Sequence, residues 1–345
     1  MTTQAAPGDG KGVSLIDVAR LAGVSTQTVS RVTNGSPKVA AATRDAVVAA
    51  MDTLGYRPNS AARALRRGSF RTIGVIVHDL TSYGNTRSID ALAEAAAQRG
   101  YSIVLNPVRS SSESDISTAF TSLDEKSVDG ILVIRDEHIH LESSSQIPST
   151  TPVVIMDSAA PPDRPHVDAD QRGGARQAVE HLLALGHPTV HMVGGPTTSH
   201  SASEREAEWE RVLRAAGRDV PPVVRGDWSA ASGYAAGRAL AVDPGVSAVF
   251  TANDQMAVGL LRAMHEAGRG VPAEVSVVGF DDIDEAAWLW PPLTTVRQHF
   301  GESGRAAVLR LFEAIESGQH EGRFDVVPTE LVVRASTGPY RPRHT

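Results

Sequence analysis

The run Ser14 to Arg31, SLIDVARLAGVSTQTVSR, reads as helix, tight turn, helix. Ser14 is placed to cap the first helix, with Asp17 three residues on as its capping-box partner. Ile16 and Ala19, with Leu15, supply its inner face. Gly23 stands where a chain leaving a helix tolerates positive φ. Val24 packs beneath the turn, and Ser25 caps the second helix. Val29 and Val32 then point inward, while Thr26, Gln27, Ser30 and Arg31 point out. Short polar side chains and one Arg on the outer face of a helix suit the DNA major groove.

Working outward, Asn34-Gly35-Ser36-Pro37 is a loop by composition. A third helix follows through Arg44, Val47, Val48, Met51 and Leu54, closed by Gly55. Arg57-Pro58-Asn59 breaks it. Ser60 to Arg67 is long enough for two helical turns and too short to hold them alone. Upstream, Met1 to Gly12 is small and polar, lacks the apolar core of a secretory signal, and reads as a disordered leader.

Charge divides the chain. Between Lys11 and Arg71 ten basic residues face three acidic ones, a surplus of +7. The whole chain carries −7, so the remainder carries −14. Polyanion binding is thereby confined to the first 71 residues. The 345 residues imply more than one domain, and no cysteine is present, so neither disulfides nor thiolate metal sites enter. No apolar run approaches the ~18 residues of a membrane span.

From Arg71 onward β-rich runs alternate with helical stretches. The runs are Ile73–Val77, Ile103–Leu105, Ile131–Ile134, Val153–Met156, Val190–Val193, Ala248–Phe250 and Val275–Val278. The helical stretches include Ala91–Arg99, Ala175–Leu185, Glu204–Ala216 and Gln255–Ala267, each followed or ended by a glycine suited to C-capping. Such alternation means parallel sheets with crossover helices, here in two doubly wound lobes. No Gly-x-Gly-x-x-Gly, P-loop or Gly-x-Ser-x-Gly elbow occurs, so neither a nucleotide cofactor nor a serine hydrolase has its signal. His187 and His191 straddle Pro188 and a turn, and no metal site is expected of them.

The run LIDVARLAGVSTQTVSRVTNG with TRDAVVAAMDTLGYRPN resembles the head of the LacI/GalR family of bacterial repressors. GDWSAASGY, TANDQMAVG, EVSVVGFDD, PPLTTVRQHF and PTELVVRAST resemble that family's effector domain. The resemblance implies a helix-turn-helix head with a hinge helix, then a type I periplasmic-binding-protein body whose lobes are joined by three crossings. It divides the chain into a leader (1–12), a DNA-binding domain (13–58), a hinge (59–70), an effector domain (71–337) and a tail (338–345). Lobe 1 would take about 71–169 and 301–328, and lobe 2 about 170–297 and 329–337. On this reading Thr26, Gln27 and Arg31 reach base edges, and Ser25, Thr28, Ser30 and Asn34 serve phosphates or caps. Asn59 and Leu65 lie in the hinge, where Leu65 takes the place of a leucine that wedges between base pairs when two copies meet in the minor groove. Ala40 departs from the family serine that caps the third helix, a loss of about 1 kcal/mol.

In the body, the resemblance assigns effector contacts to Asp157, Arg205, Trp228, Asn253, Asp281 and Gln298. Their chemistry suits a sugar. Carboxylates accept from paired hydroxyls, Arg and Asn bridge neighbouring oxygens, and an indole lies against a C–H face. Plainer roles compete: Asn253 or Asp254 as a helix cap, Asp282 as a turn former, Trp209 and Trp288 as packing or lobe-edge residues. The segment His78 to Asn85 departs from the family's Asn-Pro-Phe pattern, and His78 or Asp79 is expected to add a polar contact. Gly338-Pro339-Tyr340-Arg341-Pro342 cannot form the leucine-heptad tail that joins dimers into tetramers in one member of the family, so a homodimer is expected. The implied protein is a cytoplasmic repressor on a pseudo-palindromic operator, released by a galactoside or glucoside. A purine corepressor that tightens DNA binding is the second reading. A glycosidase using Asp157 and Asp281 is the remote third.

Overall fold

In a computed structural model the described residues are 13–57, 68–78, 80, 82–108, 113–134, 151–156, 164–318 and 322–342. The chain falls into two compact units, one ending at Phe70 and one beginning at Arg71. The first unit contains α1 (Leu15–Leu21), α2 (Thr26–Thr33) and α3 (Ala41–Leu54). Val18, Ala19, Val29, Val32, Val47 and Ala50 form its core. The inner face of α1 is therefore Leu15, Val18, Ala19 and Ala22, at helical spacing. Ile16 lies a residue off that phase and is 59% exposed, against the expectation from sequence. The Asp17 carboxylate accepts from the Ser14 N–H at 3.0 Å and the Ser14 hydroxyl at 2.6 Å, which holds its pKa low. Ala40 makes no side-chain cap at the start of α3. Gly55 ends that helix at φ +63.

The second unit contains two six-stranded sheets. In the first, β1 (Thr72–Val77), β2 (Ser102–Pro107), β3 (Gly130–Ile134), β4 (Val153–Met156), β5 (His166–Ala169) and β11 (Phe324–Val327) lie parallel in the order β11-β5-β4-β3-β1-β2. Such strands are apolar on both faces. On one side of β1, Ile73, Val75 and Val77 meet α4 (Tyr83–Gln98) and α10 (Phe300–Ser317) through Leu92, Val308 and Leu311. On the other side, Ile76 meets Ile116, Phe120 and Leu123 of α5 (Glu113–Glu125). Gly74 allows this approach, since a Cβ there would lie 2.7 Å from Leu123.

The second sheet runs β12-β10-β9-β8-β6-β7, from β6 (His191–Gly194), β7 (Val224–Arg225), β8 (Ala248–Thr251), β9 (Ser276–Asp281), β10 (Thr294–Gln298) and β12 (Thr329–Val332). All neighbours are parallel except β12, which is antiparallel to β10. Helices α6 (Gln171–Ala184), α7 (His200–Ala215), α8 (Ala230–Ala241) and α9 (Asp254–Glu266) accompany it. Trp209, Phe250 and Phe280 anchor the core, and the Trp209 indole donates to the Val190 carbonyl at 2.9 Å. The chain passes between sheets three times: β5 to α6, β10 to α10, and β11 to β12. The seven strands expected from sequence are present. Strands β5, β7, β10, β11 and β12 and helices α5, α8 and α10 were not among the expected elements.

Candidate DNA-reading helix and effector cleft

The outer face of α2 is built from its cap inward. Ser25 Oγ accepts the Thr28 N–H at 3.1 Å and lies 2.9 Å from the Thr28 hydroxyl. Ser30 is half-buried; its carbonyl accepts the Asn34 side-chain amide at 2.7 Å and the Thr33 hydroxyl at 3.1 Å. Asn34 thus folds back as a C-cap of α2. Thr26, Gln27 and Arg31 remain exposed. Gln27 and Arg31 are four residues apart and share one helix face. Arg44 donates to the Ser36 carbonyl at 2.9 Å and pins the loop after α2. Asn59 and Leu65 lie outside the described residues.

In the second unit, the ends of β6, β8, β9 and β10 surround a cleft of about 310 Å³. Open α/β sheets place ligands at such carboxyl ends. Arg205, Trp228, Asn253, Asp281 and Gln298 all line it. Arg205 projects from α7 and is 4% exposed. Its Nε donates to Gln171 Oε1 at 2.9 Å, its Nη1 donates to the Ala252 carbonyl, and Nη1 stands 3.9 Å from Asp281 Oδ1. The guanidinium lies 3.8 Å from the Phe280 ring centre and 5.7 Å from that of Trp228. Stacked in this way, the guanidinium is fixed at the wall of the cleft.

Trp228 sits at φ +72, a costly backbone state for a bulky residue. Gly195 makes room for its ring, because a Cβ there would lie 2.6 Å from it. Asn253 donates to the Trp228 carbonyl at 3.0 Å and accepts the Met256 N–H at 2.9 Å, so it caps α9 and lines the cleft together. Gln298 donates to Asp281 Oδ1 at 2.6 Å. Asp282 points away, to Arg297 at 2.7 Å and Arg334 at 2.6 Å. Trp209 is core, whereas Trp288 is 86% exposed.

Of the pair His78 and Asp79, His78 is not among the described residues that line this cleft; its Nδ1 lies 3.2 Å from the Val108 carbonyl. The reason is local: Val108 N–H extends the β1–β2 ladder to Val77, drawing the residue after β1 towards β2. Among the described residues, the lobe-1 side of the lining comes from the start of α4, Ser82 to Asn85, and from Phe300 of α10. Tyr83 packs edge-on against Phe300 there, 5.9 Å between ring centres. Asp79 and Asp157 lie outside the described residues. Gln171, Tyr83 and Phe300 were not anticipated. Gln171 and Phe300 stand at passages between the sheets, the one signal that could have found them; Tyr83 opens α4 after β1 and has no such signal. Among the described residues no cluster of three or more His, Cys, Asp or Glu is arranged for a metal.

Residues 14–59 match the bacterial regulatory proteins of the lacI family, and residues 179–337 match the periplasmic binding protein-like domain. The chain is 35% identical over 335 residues to the lactose operon repressor of Escherichia coli K12, covering 95% of this chain and 91% of that one. It is 34% identical over 328 residues to the transcriptional repressor PurR of Pasteurella multocida, covering 93% and 97%. The crystal structure of the lac repressor dimer bound to operator and the anti-inducer ONPF superposes with a TM-score of 0.86 at 35% identity, covering 95% of this chain and all of that one. The chain belongs to the lacI family. It is a DNA-binding transcriptional repressor with a helix-turn-helix head and a two-lobed periplasmic-binding-like body. No helix among the described residues is long and apolar enough to cross a membrane.

Proposed function

We propose that a sugar, a galactoside or glucoside, occupies the cleft and releases this repressor from a pseudo-palindromic operator. One juxtaposition carries the reading: the Trp228 indole 5.7 Å from the buried Arg205 guanidinium, with Asp281, Gln298 and Asn253 around them. An apolar ring face needs the indole, and its hydroxyls need acceptors and donors at the rim. Thr26, Gln27 and Arg31 read bases, Ser25, Thr28, Ser30 and Asn34 serve the backbone or the helix ends, and Asn59 and Leu65 belong to the hinge. The domain boundaries of the sequence reading go with it: head to 58, hinge to 70, effector body to 337. The chain binds in the cytoplasm and catalyses nothing.

Two copies act together. Trp288 closes the 3₁₀ turn after β9 and Trp290 follows two residues on; they stand 86% and 96% exposed. Two such indoles left in water favour cover by a second copy. The sugar can lower DNA affinity only by its difference in affinity between the two states. The test is operator anisotropy of the full chain titrated with a galactoside and glucoside panel. Release by at least one member is expected. Unchanged operator binding across the panel would remove the inducer claim.

A purine corepressor is the second reading. PurR of Pasteurella multocida is similar over most of the chain, and Tyr83 with Phe300 offers aromatic surface to a flat base. A thermal-shift screen of sugars against nucleobases separates the two.

A further inference from the structure

Asp254 opens α9 and is completely buried. Among the described residues no Lys or Arg pairs with its carboxylate. Its Oδ2 accepts the Ile283 N–H at 2.9 Å, and its Oδ1 accepts the Thr295 hydroxyl at 2.6 Å. The same hydroxyl accepts the Asp282 N–H at 3.4 Å. Gly279 of β9 is pressed to the carboxylate, since a Cβ there would lie 2.0 Å from Oδ1. The turn held in this way is unusual. Asp281 sits at φ +118 and Asp282 at φ +56, states that persist where the surroundings over-determine them. It sends the two carboxylates apart, Asp281 to the cleft and Asp282 to Arg297 and Arg334.

We propose that Asp254 is a positioning residue of the effector site: its buried carboxyl fixes the turn from Asp281 to Ile283 and so sets where Asp281 faces the cleft. The role in effector binding rests on the cleft being the effector site; the bracket itself does not. Burial, and then the charge of Asp281, push the Asp254 pKa well above the ordinary carboxylate value, while Thr295 and the Ile283 amide pull it down. The charged groups around the bracket are Asp281 and Asp282 at the end of β9, Arg297 on β10, Arg205 on α7 and Arg334 after β12. A folded-state pKa raised from 3.8 means stability fully present below 3.8 and lost as pH rises through the folded value.

The experiment compares the full chain with Asp254→Ala and Asp254→Asn, by amide hydrogen exchange and by stability against pH, without ligand. In Asp254→Ala the Ile283 amide should exchange about a hundredfold faster, while the amides of β8 keep their protection. In Asp254→Asn, whose amide oxygen still accepts, the acceleration should stay below about tenfold. The loss of stability with rising pH above 3.8 that belongs to this carboxyl should disappear in the Asn variant. Unchanged Ile283 exchange in Asp254→Ala overturns the proposal. Should the Ala variant not fold, Thr295→Val decides: it removes the hydroxyl between Asp254 Oδ1 and the Asp282 N–H, and unchanged exchange of the Asp282 and Ile283 amides there overturns the proposal. Where a sugar from the panel releases the operator, Asp254→Ala should need at least about tenfold more of it. A panel in which no sugar acts counts against the sugar reading and leaves the bracket decided by exchange.

Discussion

Arg205 donates from Nε to Gln171 at 2.9 Å, and Gln171 donates in turn to Asp168 at 3.1 Å. Arg205 belongs to α7 beside the second sheet, whereas Asp168 lies on β5 of the first. The guanidinium of the cleft is therefore oriented from the opposite lobe, through the first passage between sheets. Asp168 also meets His200 of α7 at 3.5 Å. Any change in the angle between lobes must repack this row of buried polar groups, which is costly when a partner is lost.

Gln171→Ala removes the acceptor of a buried charged donor. The cost is about 1–3 kcal/mol, so sugar affinity should fall about tenfold or more. Operator affinity without sugar should stay within about twofold. Calorimetry of the sugar and anisotropy of the operator check the two halves. Unaltered sugar affinity would show that Arg205 needs no support from lobe 1.

Gly195→Ala places a methyl 2.6 Å from the Trp228 ring. Overpacking of this kind costs about 1–3 kcal/mol, and here the ring is what must give. The variant should fold and bind operator, yet lose its thermal shift with sugar. A shift equal to that of the unaltered chain would mean that the indole does not contact the ligand.

Arg31→Ala and Gln27→Ala should each weaken operator binding by about 1–3 kcal/mol and relax preference at different base pairs. Leu65→Ala should weaken operator binding more than nonspecific binding. Competition with single-base operator variants reads all three. A uniform loss on every sequence would assign Gln27 and Arg31 to phosphates and would contradict the wedge role of Leu65.

Burial holds His187 below the usual histidine pKa, against the pull of the Gly338 carbonyl. Its Nε2 lies 3.2 Å from that carbonyl, so it is the N–H donor, and Nδ1 accepts from Ser247 at 3.1 Å. A lowered folded-state pKa means stability present above 6.5 and lost as pH falls below it. The segment from Gly338 to Tyr340, held by His187 and by Tyr340 N–H to the Leu185 carbonyl, should loosen first. His187→Gln should flatten the decline below pH 6.5, measured by chemical unfolding. A decline of equal slope in that variant would place its cause elsewhere.

The head was legible because helical phase, caps and turn residues agree over a short span; Ile16, expected inside, stands one position from Leu15 and off that phase. Arg205, Trp228, Asn253, Asp281 and Gln298 were legible through the resemblance of their motifs to the family, with Asn253 just after β8 and Asp281 at the end of β9. Gln171, Tyr83 and Phe300 were not, because their place in the cleft depends on how two sheets are wound together, which local periodicity does not encode. Strands β7, of two residues, and β11, PheAspValVal with Phe324 and Val326 exposed, carry too little apolar pattern to stand out. The Asp254 bracket was read as a possible cap, since its partners Ile283 and Thr295 come from distant segments.

The central claim is that occupancy of the cleft and grip on the operator oppose each other, and linkage makes that opposition reciprocal. The most direct measurement is the affinity of the releasing sugar for the full chain, by calorimetry, with and without saturating operator duplex. The account predicts weaker sugar binding on the operator, by the same factor as the sugar weakens operator binding. Equal affinity in both conditions would contradict it.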